Sequence, residues 1–428
     1  MTTTEPADAT ASTSLADTDF AVDARQVSTL REAFTAYLNR IRGGDMGALP
    51  ATMGLVVLFV VFSMASSSFL TALNMANLIT QAGAICVLAM GLVPVLLMGD
   101  IDLSAGVAGA VAATFAALAI VSQGLPWFLA VIAGVLCGMV IGLAIGLLVA
   151  KLGIPSFVVT LAFFLALQGV TLRMIGQGGS VRVDHPVLRG ITINTMPVII
   201  GWVLALGIVG LYAALALLRH RTQVSRGLQH EPFSVVLFKI GGMAAIVIGV
   251  TAVLSVNRSR NPNFPIEGIP YVLPLVAVLL IFWTFILTKT RYGRHVYAVG
   301  GSREAARRAG INVDRIRVSV FMICSSMAAI SGIIAASYAG KVSPSSGAGN
   351  TLLYAVGAAV IGGTSLFGGK GKARDAVIGG VVIATIANGL GLLNQASYIN
   401  FLVTGGVLLL AASVDAVSRR RRSATGLG

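Results

Sequence analysis

Long apolar runs, separated by short polar or charged loops, cover most of the chain from about residue 48 onwards. A helix needs about 20 mainly apolar residues to cross the hydrocarbon core of a bilayer. The short runs at 101–122 and 351–368 could be broken or re-entrant helices, so we predict an all-α polytopic membrane protein with about 10–12 transmembrane helices. The candidate spans are 48–66, 75–98, 101–122, 126–150, 155–172, 197–218, 235–256, 269–288, 317–338, 351–368, 374–393 and 397–415.

Composition agrees with this class. The chain is 56% hydrophobic and only 11% charged, and no soluble domain of this size buries so much apolar surface. The net charge of +14 raises the question of nucleic acid. The basic residues, however, cluster in short loops and at both ends, as the positive-inside rule places them in cytoplasmic segments. We therefore exclude nucleic-acid binding.

Charge and periodicity divide the chain into three parts. Residues 1–42 are predicted to be a cytoplasmic disordered tail followed by an amphipathic surface helix. Residues 43–418 form the transmembrane domain, with a long cytoplasmic loop at 289–316, and residues 419–428 form a basic cytoplasmic tail. Both termini are thus predicted to be cytoplasmic. The external loop 173–196 departs from the charge rule, because it carries Arg173, Arg182 and Arg189.

A short charged segment at 300–311 lies between two long apolar runs. Ser302 is a suitable N-cap for a helix. Glu304 and Arg308 are four residues apart in the favourable orientation, and Gly310 can take the left-handed conformation that ends a helix. Two interpretations remain open at this point: a docking helix for a soluble partner, or a solvated loop that only obeys the charge rule.

Polar residues also occur at or near membrane depth. Asp100 and Asp102 lie between two apolar runs, and a charge at the bilayer centre costs about 2.5–3.5 kcal/mol on insertion scales. They belong either to an ordinary loop or to a broken helix whose N-terminus faces a cavity. Asn388 lies inside a span, where such an amide either joins two helices by hydrogen bonds or lines a pathway.

Close helix packing is predicted by four glycines in one span. Gly134, Gly138, Gly142 and Gly146 recur every four residues and therefore lie on one helix face. Small residues on one face allow a neighbouring backbone to approach closely.

Motifs for chemistry are missing from the sequence. Cys86, Cys137 and Cys324 all lie in apolar runs and are interpreted as buried hydrophobic residues. The four histidines lack metal-ligand spacing. The glycine-rich stretch at 362–371 fails the Walker pattern, because Thr364 stands where its first glycine would fall and Gly371 follows Lys370. We predict no enzyme activity, no metal site and no nucleotide site in this chain.

Four motifs together resemble the permease subunits of bacterial ABC sugar importers of the ribose, xylose and arabinose type. They are GDIDLSAG at 99–106, YGRHVYAVGGSREAARRAGINVDRIR at 292–317, VIGGTSLFGGKG at 360–371 and IANGLGLLN at 386–394. The additional basic loop and span at 219–256 are similar to the xylose permease branch. The resemblance runs from about residue 48 to 415, although the family often has a second glycine where Asp100 stands.

The resemblance implies a bacterial cytoplasmic-membrane protein that forms a pathway for a monosaccharide, such as the pentose xylose. Its partners would be a second permease copy, a cytoplasmic ATPase that binds ATP, an exported periplasmic or lipid-anchored sugar-binding protein, and membrane lipid. Asp100, Asp102, Ser104 and Asn388 become candidates for the translocation pathway. The coupling residues, which would dock on the ATPase, would be Ser302, Arg303, Glu304, Ala305, Ala306, Arg307, Arg308, Gly310 and Ile311.

Two other functions remain open from the sequence. A secondary, ion-coupled sugar transporter also has about twelve spans, but it needs ionisable groups inside them, and the spans contain few apart from the Asp100 and Asp102 pair. A membrane scaffold that only binds partners fits the glycine series and the docking segment less well.

Overall fold

The computed structural model of the chain describes residues 35, 47–228, 230–259, 261 and 263–424. The predictions for residues 1–42 therefore lie outside the described residues, apart from Thr35. In the predicted basic tail, residues 419–424 continue the last helix, and residues 425–428 lie outside the described part.

Most of the described chain is helical and very little of it is strand, which confirms the predicted fold class. Two strands of two residues, β1 (Val181–Arg182) and β2 (Lys341–Val342), pair antiparallel. In chain order the helices are α1 (Leu49–Ala65), α2 (Ala72–Leu97), α3 (Ala105–Val121), α4 (Trp127–Ala150), α5 (Ser156–Ile175), α6 (Pro186–Ile193), α7 (Val198–Ser225), α8 (Phe233–Ser255), α9 (Val272–Lys289), α10 (Arg291–Gly301), α11 (Arg303–Arg308), α12 (Val313–Ala339), α13 (Thr351–Ile361), α14 (Ala373–Leu392) and α15 (Ser397–Ala424).

Eight helices of the described residues are long and apolar enough to cross a membrane: α2, α4, α5, α7, α8, α9, α12 and α14. Helices α1, α3 and α13 and the Ser397–Leu410 part of α15 are apolar but shorter. The two groups together correspond to the twelve predicted spans. Within the predicted external loop 173–196, helix α6 and strand β1 were not foreseen.

The described chain divides into two compact units. Val203–Gly249, most of α7 and α8, belong to the smaller unit, which overlaps the additional segment that the sequence places at 219–256. In this unit the Lys239 ammonium and the Glu231 carboxylate form an exposed ion pair at 2.6 Å. The larger unit contains Gly43–Trp202 and Val250–Gly428 and carries all of the motifs that led to the family resemblance.

Helix α12 is at the centre of the larger unit and packs against α2, α3 and α4. The glycine face of α4 makes one of these contacts possible. A Cβ atom on Gly138 would lie 2.5 Å from the Ser325 carbonyl oxygen, and one on Gly142 would overlap the Phe321 carbonyl. All four glycines of the series are buried, so the prediction of a close backbone approach is confirmed.

One end of the larger unit, here called the α11 end, collects the termini of several helices. The end of α2 meets the loop before α14, because the Gly369 N–H donates to the Leu97 carbonyl at 2.9 Å. Helix α4 ends and α12 begins there, since Arg317 donates to the Val149 carbonyl. Helix α11 lies between α10 and α12 in the chain and belongs to the same end.

Helix α3 does not begin at this end. After α2, Gly99 takes a left-handed conformation with φ of +69°, and residues 98–104 continue without helical structure. Asp102 lies beside the thiol of Cys324, which is in the middle of α12. The segment therefore interrupts the helical path from α2 to α3, as in a broken helix, and the cavity that this alternative included stays a prediction.

Helix α13 also begins in the interior of the larger unit. The start of α3 touches the loop before α13, since a Cβ atom on Gly106 would lie 2.5 Å from the Gly347 carbonyl oxygen and 3.6 Å from the Leu352 nitrogen. The N-termini of the two short helices therefore meet. Helix α13 ends at Ile361, and residues 362–368, which were predicted to belong to its span, form a loop instead.

Candidate functional site

Helix α11 is stabilised by the local interactions that its sequence predicts. The Ser302 hydroxyl accepts a hydrogen bond from the Ala305 N–H at 3.2 Å. An Arg308 guanidinium nitrogen lies 2.6 Å from the Glu304 carboxylate, and both side chains are about three-quarters exposed. Gly310 follows with φ of +80°, a conformation that glycine adopts without the Cβ penalty of other residues. The predicted cap, ion pair and helix end are all confirmed.

The surface of α11 is almost completely open. Among residues 302–310 only Ala306 is buried, where it joins the hydrophobic core of the larger unit, and Ile311 packs against that core. Within α11, the buried apolar contact with the unit is therefore made by one small side chain. Its other residues, among them Arg307 and Ala305, are exposed.

Asp100 ties this exposed helix to the interior. The Arg317 guanidinium holds its carboxylate in a bidentate pair, with Nε–Oδ2 and Nη2–Oδ1 distances of 3.0 and 2.9 Å. Arg303, the first residue of α11, donates from Nη2 to the same Oδ1 at 3.2 Å. Asp100 is only 5% exposed, so its charge is compensated by two arginines rather than by water.

The two arginines also bind backbone carbonyls, which satisfies donors that the single carboxylate leaves free. Arg303 Nη2 donates to the Met98 carbonyl at 2.9 Å, and Arg317 Nη1 donates to the Val149 carbonyl at 3.3 Å. These two carbonyls lie directly after α2 and near the end of α4. The arginine contacts therefore join α11, α12, α4 and the interruption after α2.

Close backbone contacts hold the rest of the site together. A Cβ atom on Gly300, at the end of α10, would overlap the Leu97 carbonyl, and one on Gly368 would lie 3.0 Å from the same oxygen. The Tyr297 hydroxyl donates to the Gly371 carbonyl at 2.6 Å. Three of the four motifs that carry the resemblance, at 99–106, 292–317 and 360–371, thus meet at the α11 end.

Two tyrosines of α10 connect it to neighbouring elements at the α11 end: Tyr292 contacts α12, and Tyr297 contacts the loop before α14. Burial raises the pKa of Tyr292, whose hydroxyl shares a 2.9 Å hydrogen bond with that of Ser319. Burial and the neighbouring Asp375 carboxylate raise the pKa of Tyr297. Both phenols therefore stay neutral at physiological pH and keep their hydrogen bonds.

The other acidic residue of the interruption, Asp102, faces the interior. Asp102 and Ser104 are fully buried, and Asp102 Oδ1 accepts hydrogen bonds from the Ser104 N–H at 2.9 Å and from its hydroxyl at 2.6 Å. Asp102 thereby orders the turn that begins α3. Asp102 and Ser104, two of the candidate pathway residues, are enclosed within this chain.

Asn388, the remaining pathway candidate, lies far from the others. It is buried near the end of α14, away from the α11 end, and its amide is paired with Asn74 at the start of α2. Asn388 is thus not part of the group formed by Asp100 and the coupling residues, and its place in a pathway stays a prediction.

Sequence reasoning missed Arg317, Tyr297 and the close contacts of Gly300. A signal for Arg317 was present, since the predicted span 317–338 begins with it and an ionisable residue at a span is a candidate for function. Tyr297 carried no such signal, because a single tyrosine in a polar loop is ordinary.

Comparison with known proteins identifies the class. The chain matches the family described as branched-chain amino acid transport system / permease component over residues 74–412. A multi-pass helical membrane protein that matches over this length belongs to that permease family, and its relatives are transporter subunits rather than enzymes. Comparison with solved structures found no match.

Individual curated relatives have more specific names than the family description. The chain is 34% identical over 385 residues to the xylose transport system permease protein XylH of Haemophilus influenzae, covering 86% of this chain and 96% of that protein. It is 35% identical over 368 residues to XylH of Escherichia coli K12, covering 86% and 90%. The ribose import permease protein RbsC of Escherichia coli K12 is 30% identical over 367 residues, covering 85% and 92%. The predicted resemblance to sugar permeases is confirmed.

Proposed function

We propose that this chain is the membrane-spanning subunit of an ATP-driven importer for a monosaccharide, a pentose such as xylose. Residues 302–311 dock on a cytoplasmic ATPase, which binds and hydrolyses ATP. The names of the curated relatives, which include xylose and ribose permeases, support the substrate class.

The observation that carries this proposal is the form of α11. It is a short, capped, charged helix that exposes every residue of 302–310 except Ala306. Its N-terminal arginine is nevertheless held at the buried Asp100 carboxylate. A solvated loop needs no such anchor, whereas a helix that receives force from a partner does. The open face offers Glu304, Arg307 and Arg308 to the partner.

The translocation pathway lies between two copies of the chain in this proposal. Asp102 and Ser104 are enclosed by the larger unit, so a hydrated sugar passes along the surface of the unit rather than through its core. An exported sugar-binding protein delivers the sugar at the end opposite α11. The basic loops support a cytoplasmic position for α11 and both termini, at a bacterial inner membrane and among its lipids.

The test is purification of the tagged chain from its native membrane in a mild detergent, with mass spectrometry of the proteins that come with it. We expect an ATPase in equal amounts, lost when Glu304→Lys is combined with Gly310→Val. A chain that purifies alone and accumulates sugar only while a proton gradient is present would instead be a secondary transporter.

A further inference from the structure

We propose that Asp100 is a positioning residue that transmits the displacement of α11 to the broken helix α2–α3 and to α12. The inference rests on the proposed function, since it assumes that a partner moves α11. It assigns to one side chain the connection between the docking surface and the membrane helices.

The first argument is the position of the three charged groups. Arg303 belongs to α11, Arg317 to the first turns of α12, and Asp100 to the interruption after α2. The carboxylate oxygen Oδ1 accepts from both arginines, at 3.2 and 2.9 Å. One oxygen atom is therefore shared between the exposed helix and the central helix of the larger unit.

The second argument is the gradient of exposure along these groups. The Arg303 side chain is 43% exposed, that of Arg317 is 12% exposed and that of Asp100 is 6% exposed. The connection thus begins at the surface and ends in the interior. Water competes for the buried part far less than for the exposed part, so the inner bidentate pair is the stronger one.

The third argument concerns what Asp100 is attached to. Its backbone belongs to residues 98–104, which connect α2 to α3, and the Asp100 N–H donates to the Val95 carbonyl near the end of α2 at 3.2 Å. Two residues further, Asp102 orders the start of α3. A displacement of Asp100 by Arg303 therefore acts directly on the end of α2. It reaches α3 through the backbone and α12 through Arg317.

The experiment compares variants of the full complex, with the ATPase and the sugar-binding protein, reconstituted in liposomes. Asp100→Asn keeps the size and one acceptor oxygen but removes the charge. We expect sugar transported per ATP hydrolysed to fall about tenfold, within the range typical of coupling between two sites. Co-purification of the ATPase is retained, because the exposed face of α11 is unchanged. Asp100→Glu keeps the charge and should therefore retain more transport per ATP hydrolysed than Asp100→Asn.

A second variant checks that Arg303 acts through the same connection. Arg303→Gln should lower the amount of sugar transported per ATP hydrolysed. The double variant with Asp100→Asn should be no worse than Asp100→Asn alone, because both substitutions break the same contact between Arg303 and Asp100. Glu231→Gln is the matched control, because it removes a carboxylate paired with a cation outside this site. It should leave the ratio unchanged.

Three results overturn the inference. They are a wild-type ratio for Asp100→Asn, multiplicative losses in the double variant, or a loss of folded protein and ATPase binding that accounts for the whole transport defect. Failure of the proposed function is recognised separately, because then no ATPase purifies with the unaltered chain.

Discussion

The side-chain amides of Asn74 and Asn388 exchange two hydrogen bonds, with Nδ2–Oδ1 distances of 2.9 and 3.0 Å. Asn74 also donates to the Phe69 carbonyl at 2.8 Å. Both residues are buried, so the pair joins the start of α2 to the end of α14 without competition from water. An amide inside a span is thus used here for helix association.

Asn388→Ala leaves the side-chain oxygen of Asn74 without its donor, although the Asn74 Nδ2 keeps its bond to the Phe69 carbonyl. We expect the free energy of unfolding to fall by about 1–3 kcal/mol, the usual cost of a buried polar group that loses its hydrogen bonds. Thermal unfolding in detergent measures this change. The double variant with Asn74→Ala should lose less than the sum of the two single variants. Unchanged stability together with lost uptake would favour the pathway role instead.

Gly142→Ala should destabilise the contact between α4 and α12. Its Cβ atom would overlap the Phe321 carbonyl, and such overpacking typically costs about 1–3 kcal/mol. Gly169 on α5 is the matched control, since a Cβ atom there meets nothing within 4 Å. Melting temperatures of the two alanine variants, measured in the same detergent, should differ. Equal melting temperatures would contradict the packing argument.

Gly310→Val should abolish sugar uptake while the chain still inserts in the membrane. A β-branched residue is strained at the φ of +80° that Gly310 adopts, and the strain displaces the end of α11. Uptake in cells, normalised to the amount of membrane-inserted protein, measures the effect. Gly310→Asn is the control and should retain most uptake, because asparagine tolerates the left-handed conformation. Normal uptake by the valine variant would show that transport does not depend on the left-handed conformation of Gly310 at the end of α11.

Alkaline pH should destabilise the α11 end through two tyrosines. The pKa values of Tyr292 and Tyr297 are raised in the folded chain, relative to about 10 for an unperturbed tyrosine. The folded state therefore binds more protons above pH about 10, and stability falls as the pH rises through the raised values. Unfolding temperatures of the wild type should decline more steeply in this window than those of a Tyr292→Phe and Tyr297→Phe double variant. Parallel curves would be the contrary result.

Most helices could be predicted from the sequence, because a membrane span is a property of a continuous run of residues. The run at 126–150 became α4 (Trp127–Ala150) almost unchanged. The predicted helix ends were less accurate where polar residues extend a helix beyond its apolar run. Helix α7, for example, continues to Ser225, whereas the predicted span ended at residue 218. The end of α13 at Ile361 was also missed, because the loop that follows it at 362–368 carries no charged residue and contains the apolar Leu366 and Phe367.

The local form of α11 and the family followed from the sequence alone. A cap, an ion pair four residues apart and a left-handed glycine involve neighbours in the chain, so their spacing is sufficient information. The motifs likewise lie in continuous segments. Only the tertiary structure decided that Asp100 meets Arg303 and Arg317, which are 203 and 217 residues away, and that Asn74 meets Asn388 across 314 residues. These contacts depend on how helices are arranged side by side, and similar apolar surfaces allow many arrangements that residue spacing does not distinguish.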